Sequence, residues 1–223
     1  MTSAEELLRQ RFLKVDTTTV SDVLEKVGLY DQALSTALVP ISSGQPKVAG
    51  HAYTVRGQMM PYTGPGDPDK MQAIDGMTPG VVSVWAGDAE GMACFGELLA
   101  LGMKVRGCVG IVVNGGVRDA DWIARHGVPV YAKYRSPVQS IGRWKVTGCQ
   151  VPVSMPGATS KRVAVAPGDF ILGDGDGVVV VPAAHIPFVL DEAEKITERE
   201  TRIRTEIDRG ASLDIVLGRY GSV

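Results

Sequence analysis

The stretch from Cys108 to Trp122, CVGIVVNGGVRDADW, constrains this chain more than any other. Val109 to Val113 is a short apolar, β-branched run of the kind buried on both faces of a sheet. Asn114-Gly115-Gly116 then breaks the run with residues that tolerate positive φ and close backbone approach. Arg118 and Asp119 follow at once, and Ala120 to His126 reads as a helix starting there. The pattern delivers a guanidinium and a carboxylate together at the carboxyl end of a central strand, where open α/β sheets bind ligands. The planar guanidinium of Arg118 can grip a carboxylate or oxyanion through two bonds. The carboxylate of Asp119 can hold a hard divalent cation. The same residues would also serve as a plain turn, closed by an Arg118–Asp119 ion pair or used as a helix cap.

The rest of the chain reads as one α/β unit. Its 223 residues suffice for a full core, and no linker, repeat or low-complexity segment divides them, so residues 1–223 are expected to form a single domain. Helices are expected from Ala4 to Leu13 and from Val20 to Val27, the second capped by the hydroxyls of Thr17-Thr18-Thr19 and stopped by Gly28. Strands are expected at Val48–Val55 and Val81–Trp85, with a helix around Met71–Ile74. Tyr62 to Asp69 (YTGPGDPD) is the most loop-like stretch, a surface connection or a lid. Ala93 to Met103 reads as a helix through its Phe95, Leu98, Leu99 and Met103 stripe. Strands then dominate, at Pro129–Ala132, Val151–Ser154, Lys161–Val165, Phe170–Leu172 and Gly177–Val181. That mixture predicts an α/β domain with a β-rich layer. From Ala183 to Arg209 a long amphipathic helix carries Ile186, Leu190, Ala193, Ile196, Ile203 and Ile207 on one stripe, which must pack on its own domain or on a neighbouring subunit.

Charge and cysteine content narrow the function classes. A net charge of −2 presents no basic surface for nucleic acid or acidic membrane. Cys94, Cys108 and Cys149 are scattered among apolar neighbours without metal-ligand spacing, so buried reduced thiols are expected. The opening MTSAEELLRQ has no apolar signal core and no run reaches membrane-spanning length, which predicts a cytoplasmic location. His51, His126 and His185 pair with no serine or cysteine in a recognisable motif, so a Ser-His-Asp triad is not expected. GDGDGVVVVP (Gly173 to Pro182) precedes a strand and lacks GxxxxGK[ST], so it reads as a hairpin turn whose aspartates bond the backbone, not as a phosphate loop. Lys104 and Lys133 lie near apolar segments, but nothing around them marks a Schiff-base lysine.

Two segments converge instead. FGELLA (Phe95 to Ala100) opens a helix just past a glycine loop and leaves its first amides free for an anion. GGVRD lies one strand later, so Arg118 can face those amides across a small carboxylate. TTTVSDVLEKVG, FGELLA, GGVRD and GDGDGVVVVP, in this order and spacing, resemble the RraA-like family over roughly Thr17 to Glu200. The enzymatic branch of that family is the class II 4-hydroxy-4-methyl-2-oxoglutarate / 4-carboxy-4-hydroxy-2-oxoadipate aldolases, which also decarboxylate oxaloacetate. The resemblance implies a swivelling β/β/α sandwich with N-terminal helices and a long C-terminal helix. It also implies homotrimers or homohexamers with sites at subunit interfaces, a small 2-oxo acid as substrate, and Mg²⁺ or Mn²⁺. Carried onto this sequence, Gly96, Glu97, Leu98 and Leu99 would bind substrate, largely through backbone amides. Arg118 would bind substrate oxygen, Asp119 would hold the metal, and Glu97 would add a catalytic carboxylate near it. Enzymatic members take an acid from the adjacent subunit's C-terminal helix, for which Glu192, Glu194, Glu198 and Glu200 are all available. The family's other branch is non-catalytic and regulates RNase E by binding it, and GGVRD and GDGDG occur in both.

Overall fold

Alternation along the central strands sets the layers. A computed structural model describes residues 3–42 and 44–221. Two helices, α1 (Ala4–Phe12) and α2 (Thr17–Lys26), precede a short strand β1 (Val39–Pro40) and the long β2 (Val48–Met59). There follow α3 (Pro68–Asp75), β3 (Val81–Ala86), β4 (Ala93–Phe95), α4 (Glu97–Val105), β5 (Gly110–Val117), α5 (Ala120–Arg125) and β6 (Val130–Arg135). The β-rich part comprises β7 (Trp144–Cys149), β8 (Val153–Pro156), β9 (Arg162–Val165), β10 (Phe170–Gly173) and β11 (Val178–Val181), after which come α6 (Ile186–Asp208) and α7 (Leu213–Tyr220).

The main sheet runs β1-β6-β5-β3-β2-β10-β11, with β4 added beside β5 and β7 beside β2. Its centre, β2-β3-β5-β6, is parallel, and β10 and β11 continue it antiparallel. Ile111 and Val113 point with Val81 and Trp85 into a core closed by α3, α4 and α5. Val112 points the other way, with Val82 and Val84, onto Val153, Met155, Val163 and Val165 of the small β8–β9 sheet. A two-residue period thus gives one face to helices and the other to a second β layer. This is the β/β/α sandwich that the resemblance implies. A third cluster joins α1, α2 and α6 to β10 and β11, where Val189, Leu190 and Ala193 are buried. The stripe of α6 therefore packs on its own chain as far as Ile203, while Ile207 is exposed. Among the described residues no helix is long and apolar enough to cross a membrane.

Several local expectations need correction. Asn114-Gly115-Gly116 does not end its strand: β5 continues through it to Val117. These glycines are there for close packing, since a Cβ at Gly116 would strike the Tyr134 ring and one at Gly115 the Ala89 methyl. They also sit where the β5–β6 register shifts, as at a bulge. Ala93 to Phe95 is a strand, not the first turn of a helix, because its backbone pairs with Gly116 and Val117. The helix begins at Glu97. Thr17 to Thr19 lie inside α2, not before it. Their capping role passes to Asp174 of the GDGDG turn, whose carboxylate accepts from Thr17 N at 2.8 Å and Thr17 Oγ1 at 2.7 Å. That turn joins β10 to β11 as the expected hairpin, and Asp176 N also donates to Asp174 at 3.0 Å. Strand β7 and helix α7 have no counterpart among the expected elements.

Candidate active site

The parallel strands β5 and β4 end side by side, Phe95 opposite Val117, and bring GGVRD against FGELLA. Arg118 N donates to Phe95 O at 3.1 Å, locking the two turns together. Asp119 sits in the left-handed region, φ 57° and ψ 35°, a conformation that aspartate tolerates better than most residues. From there its Oδ2 accepts from Glu97 N, the first amide of α4, at 3.2 Å. Helix geometry leaves the Leu98 and Leu99 amides without intrahelical partners, whereas Ala100 N already bonds Gly96 O. A side chain at Gly96 would disturb the site, because a Cβ would collide with Asp119 Oδ2 and lie 2.9 Å from Arg118 Cγ.

The guanidinium of Arg118 makes no hydrogen bond among the described residues; its Nε lies 3.6 Å from Asp119 Oδ2. The ion pair and the helix cap of a plain turn are thus both partly present, yet they leave Asp119 Oδ1 and the tips of Arg118 free among the described residues. Glu97 turns toward α5, its Oε1 2.7 Å from His126 Nε2. All these groups except His126 border a cleft of about 930 Å³. Phe95, Leu98, Leu99 and Ile141 supply its apolar wall, and the segment from Tyr62 to Asp67 forms one side. The YTGPGDPD stretch is therefore part of the cleft.

Structure also brings in residues that the sequence reading passed over. Lys70, Gln139, Ser140 and Lys145 line the cleft. Asp67 caps α3 through Lys70 N and also accepts from Val146 N, tying the loop to β7. The only advance signal was DPDK before a helical run, in which Asp67 and Pro68 form an N-cap and first-turn proline. Cys94 and Cys108 are buried, as expected, and burial pushes their thiols up to about 12 and about 11. Cys149 is half-buried.

Could a divalent ion fit? Among the described residues no three His, Cys, Asp or Glu side chains gather as a ready-made metal cage. Magnesium does not need one: it binds through one or two carboxylates and completes its shell with water and substrate oxygens. Asp119, half-exposed and with Oδ1 unbonded, is such a ligand. The residues fit a hard cation shared with an oxygen-rich ligand, and no thiolate offers itself to a softer one.

Comparison with known proteins places the chain in a family. A Methanocaldococcus jannaschii protein, MJ0644, is 38% identical over 126 residues, 56% of this chain, and the chain spans little more than half of that relative's length, 57%. A Halalkalibacterium halodurans protein named "Putative 4-hydroxy-4-methyl-2-oxoglutarate aldolase" is 31% identical, over 87% of this chain and 86% of its own. The crystal structure of Streptomyces coelicolor RraAS2, described as an unusual member of the RNase ES inhibitor RraA protein family, superposes with a TM-score of 0.78 at 26% identity. It covers 92% of this chain and 100% of that one. The RraA-like family model, described as Aldolase/RraA, matches residues 17–180, and the chain belongs to that family.

Proposed function

We propose that this chain is a divalent-metal-dependent lyase. It would cleave 4-hydroxy-2-oxo acids such as 4-hydroxy-4-methyl-2-oxoglutarate to pyruvate and a carbonyl product, and decarboxylate oxaloacetate. One observation carries the reading: a guanidinium with no hydrogen bond among the described residues and a free carboxylate oxygen meet at the open amides of a helix, in one cleft. The aldolase name of the Halalkalibacterium relative supports the same chemistry.

Breaking the C3–C4 bond leaves a pyruvate enolate, so the chain must stabilise negative charge arriving on the C2 oxygen. Arg118 meets that need with a fixed positive charge in a partly desolvated cleft. The Leu98 and Leu99 amides and the positive end of the α4 dipole suit the 1-carboxylate. Asp119 would hold Mg²⁺ or Mn²⁺, which when bound supplies Lewis-acid polarisation of the 2-oxo group. Glu97 is kept in place by His126, and its Oε2, unbonded among the described residues, is the chain's own candidate to accept the C4 hydroxyl proton. Decarboxylation of oxaloacetate passes through the same enolate and calls on the same groups. Exposed apolar side chains on α4 and α5, Leu98 (76% exposed), Val105 and Trp122, offer surface for self-assembly, in keeping with a homotrimer or homohexamer.

A second reading, a non-catalytic regulator that binds RNase E, is favoured by the description of the Streptomyces relative. The deciding experiment measures pyruvate released from oxaloacetate and from 4-hydroxy-4-methyl-2-oxoglutarate with added Mg²⁺. The lyase should release pyruvate far faster than free metal does, lose this with EDTA and regain it with Mg²⁺ or Mn²⁺. No protein-dependent pyruvate from either acid would leave the regulator as the better reading.

A further inference from the structure

Lys70 is unused by the chemistry above, yet it borders the same cleft as Arg118 and Asp119. On α3 it is 3% exposed, which is rare for a lysine without a counter-ion. Its Nζ donates to Cys94 O and to Ser140 Oγ, both at 2.8 Å, and lies 5.1 Å from the centre of the Trp144 ring. All three partners are electrically neutral. Among the described residues no carboxylate oxygen comes within the 4.0 Å of an ion pair. The nearby acids are otherwise engaged. Asp67 accepts from the Lys70 and Val146 amides, Asp69 pairs with Lys145 at 3.1 Å, and Glu97 faces His126. Burial holds the Lys70 pKa below the usual lysine value, and the positive charge of Arg118 adds to this, against the pull of Cys94 and Asp67.

A buried ammonium with only neutral partners is costly to keep, and an apolar side chain of similar length would pack there as well. Such a group in the wall of a cleft is better explained by what enters the cleft. Arg118, Lys70 and Lys145 give that cleft three cations, of which Arg118 is already assigned to the oxo-acid end and Lys145 is paired with Asp69. Lys70 lacks an anion and has a donor to spare, since an ammonium offers three and two are used.

We infer that Lys70 is a substrate-binding residue whose ammonium receives the second carboxylate of a dicarboxylic 2-oxo acid. This rests on the lyase reading only for the placement of the substrate's first carboxylate. It makes the enzyme selective for dicarboxylates over monocarboxylates of equal length, a discrimination that a lone Arg118 would not provide.

The test uses ligands that cannot be cleaved, so it does not depend on turnover. Titration calorimetry with Mg²⁺ compares 2-oxoglutarate with 2-oxopentanoate, which differ by the distal carboxylate. The full chain should bind 2-oxoglutarate more tightly by roughly tenfold or more, the scale of one charge-assisted contact. Lys70→Met should erase that preference, leave 2-oxopentanoate affinity unchanged, and melt at or above the wild-type temperature. Equal preference in Lys70→Met and wild type overturns the assignment even if pyruvate release is normal. So does a lower melting temperature with both ligands weakened alike, the signature of a strut. A pyruvyl adduct on Lys70 after borohydride would overturn it too, making the lysine a nucleophile. Selective binding without pyruvate release would keep Lys70 and sink the lyase. Should Lys70→Met not fold, Lys70→Gln, which keeps a donor and loses the charge, takes its place in the same calorimetry: a lost preference for 2-oxoglutarate supports the assignment and an undiminished one overturns it.

Discussion

Asp174 and Asp119 each reach from a turn at a strand end to the first amide of a helix elsewhere in the chain. Asp174, after β10, is 8% exposed and takes three donors, Thr17 N, Thr17 Oγ1 and Asp176 N. Asp119, after β5, has a side chain 44% exposed, a single 3.2 Å bond to Glu97 N, and a backbone in the left-handed region. The local task is the same, a carboxylate at a helix N-terminus. At Asp174 the acceptor capacity is spent on the protein, and the result is a welded corner between α2 and the β10–β11 hairpin. At Asp119 capacity is left over, beside a guanidinium that is also unspent. A motif rich in glycine and aspartate therefore says little by itself; what matters is how many lone pairs the fold leaves unclaimed.

Mutating the two aspartates should separate these roles. Asp119→Ala should lower pyruvate release by roughly a thousandfold or more, beyond rescue by high Mg²⁺, since it removes both the metal's charge partner and the cap on α4. Its melting temperature should move little. Asp174→Ala should do the reverse: kcat per folded chain holds, while stability falls by about 2–3 kcal/mol in urea titration, because buried donors lose their partner. Next in size is Arg118→Ala, with a loss of roughly a hundred- to a thousandfold in kcat/KM and near-normal Mn²⁺ binding. Arg118→Lys should rescue poorly, as it keeps the charge and loses the planar fork. Steady-state kinetics at several metal concentrations would check both.

Gly96→Ala sharpens the comparison from the other side. Its added methyl must displace the Asp119 carboxylate, so activity should fall about tenfold with the fold intact, the scale of a misplaced catalytic group. Normal kinetics for this variant would mean that the Asp119–Glu97 contact is not needed. The smallest effect concerns pH. Cys94 and Cys108 are pushed from their ordinary 9.0 to about 12 and about 11 by burial. The folded chain therefore keeps protons that the unfolded chain sheds above pH 9, so stability should fall as pH rises from 9 toward 11. Lys70, with its lowered pKa, pulls the opposite way below its ordinary 10.5, so the thiol effect is read most cleanly in the Lys70→Met background. Urea midpoints at pH 8 to 10.5 should show the decline, and Cys108→Ala should flatten it.

The layers and the core of the site were legible in the chain itself. Val81–Trp85, Phe170–Leu172 and Gly177–Val181 read as strands because buried, β-branched runs leave a period that local sequence carries. Convergence of FGELLA and GGVRD was legible because both flank strand ends that turned out to pair. Three-residue β4 was not, since Phe95 also fits the stripe of the helix that follows, and only its pairing with β5 decides between them. Nor was β7, whose Trp144 and Val146 alternate beside polar residues and a glycine in WKVTGC. Lys70 shows the limit most clearly. In DPDKMQAID it looks like an ordinary helix lysine, and only Cys94, Ser140 and Trp144, distant in sequence, enclose it.

Asp119 is the carboxylate left free for a cation, and Asp174 is not. Titration calorimetry with Mn²⁺ on the wild type, Asp119→Ala and Asp174→Ala tests this without any assumption about substrate. Wild type and Asp174→Ala should bind Mn²⁺ alike, and Asp119→Ala should show no saturable binding. Wild-type affinity in Asp119→Ala, or its loss only in Asp174→Ala, would place the cation elsewhere and contradict the site described above.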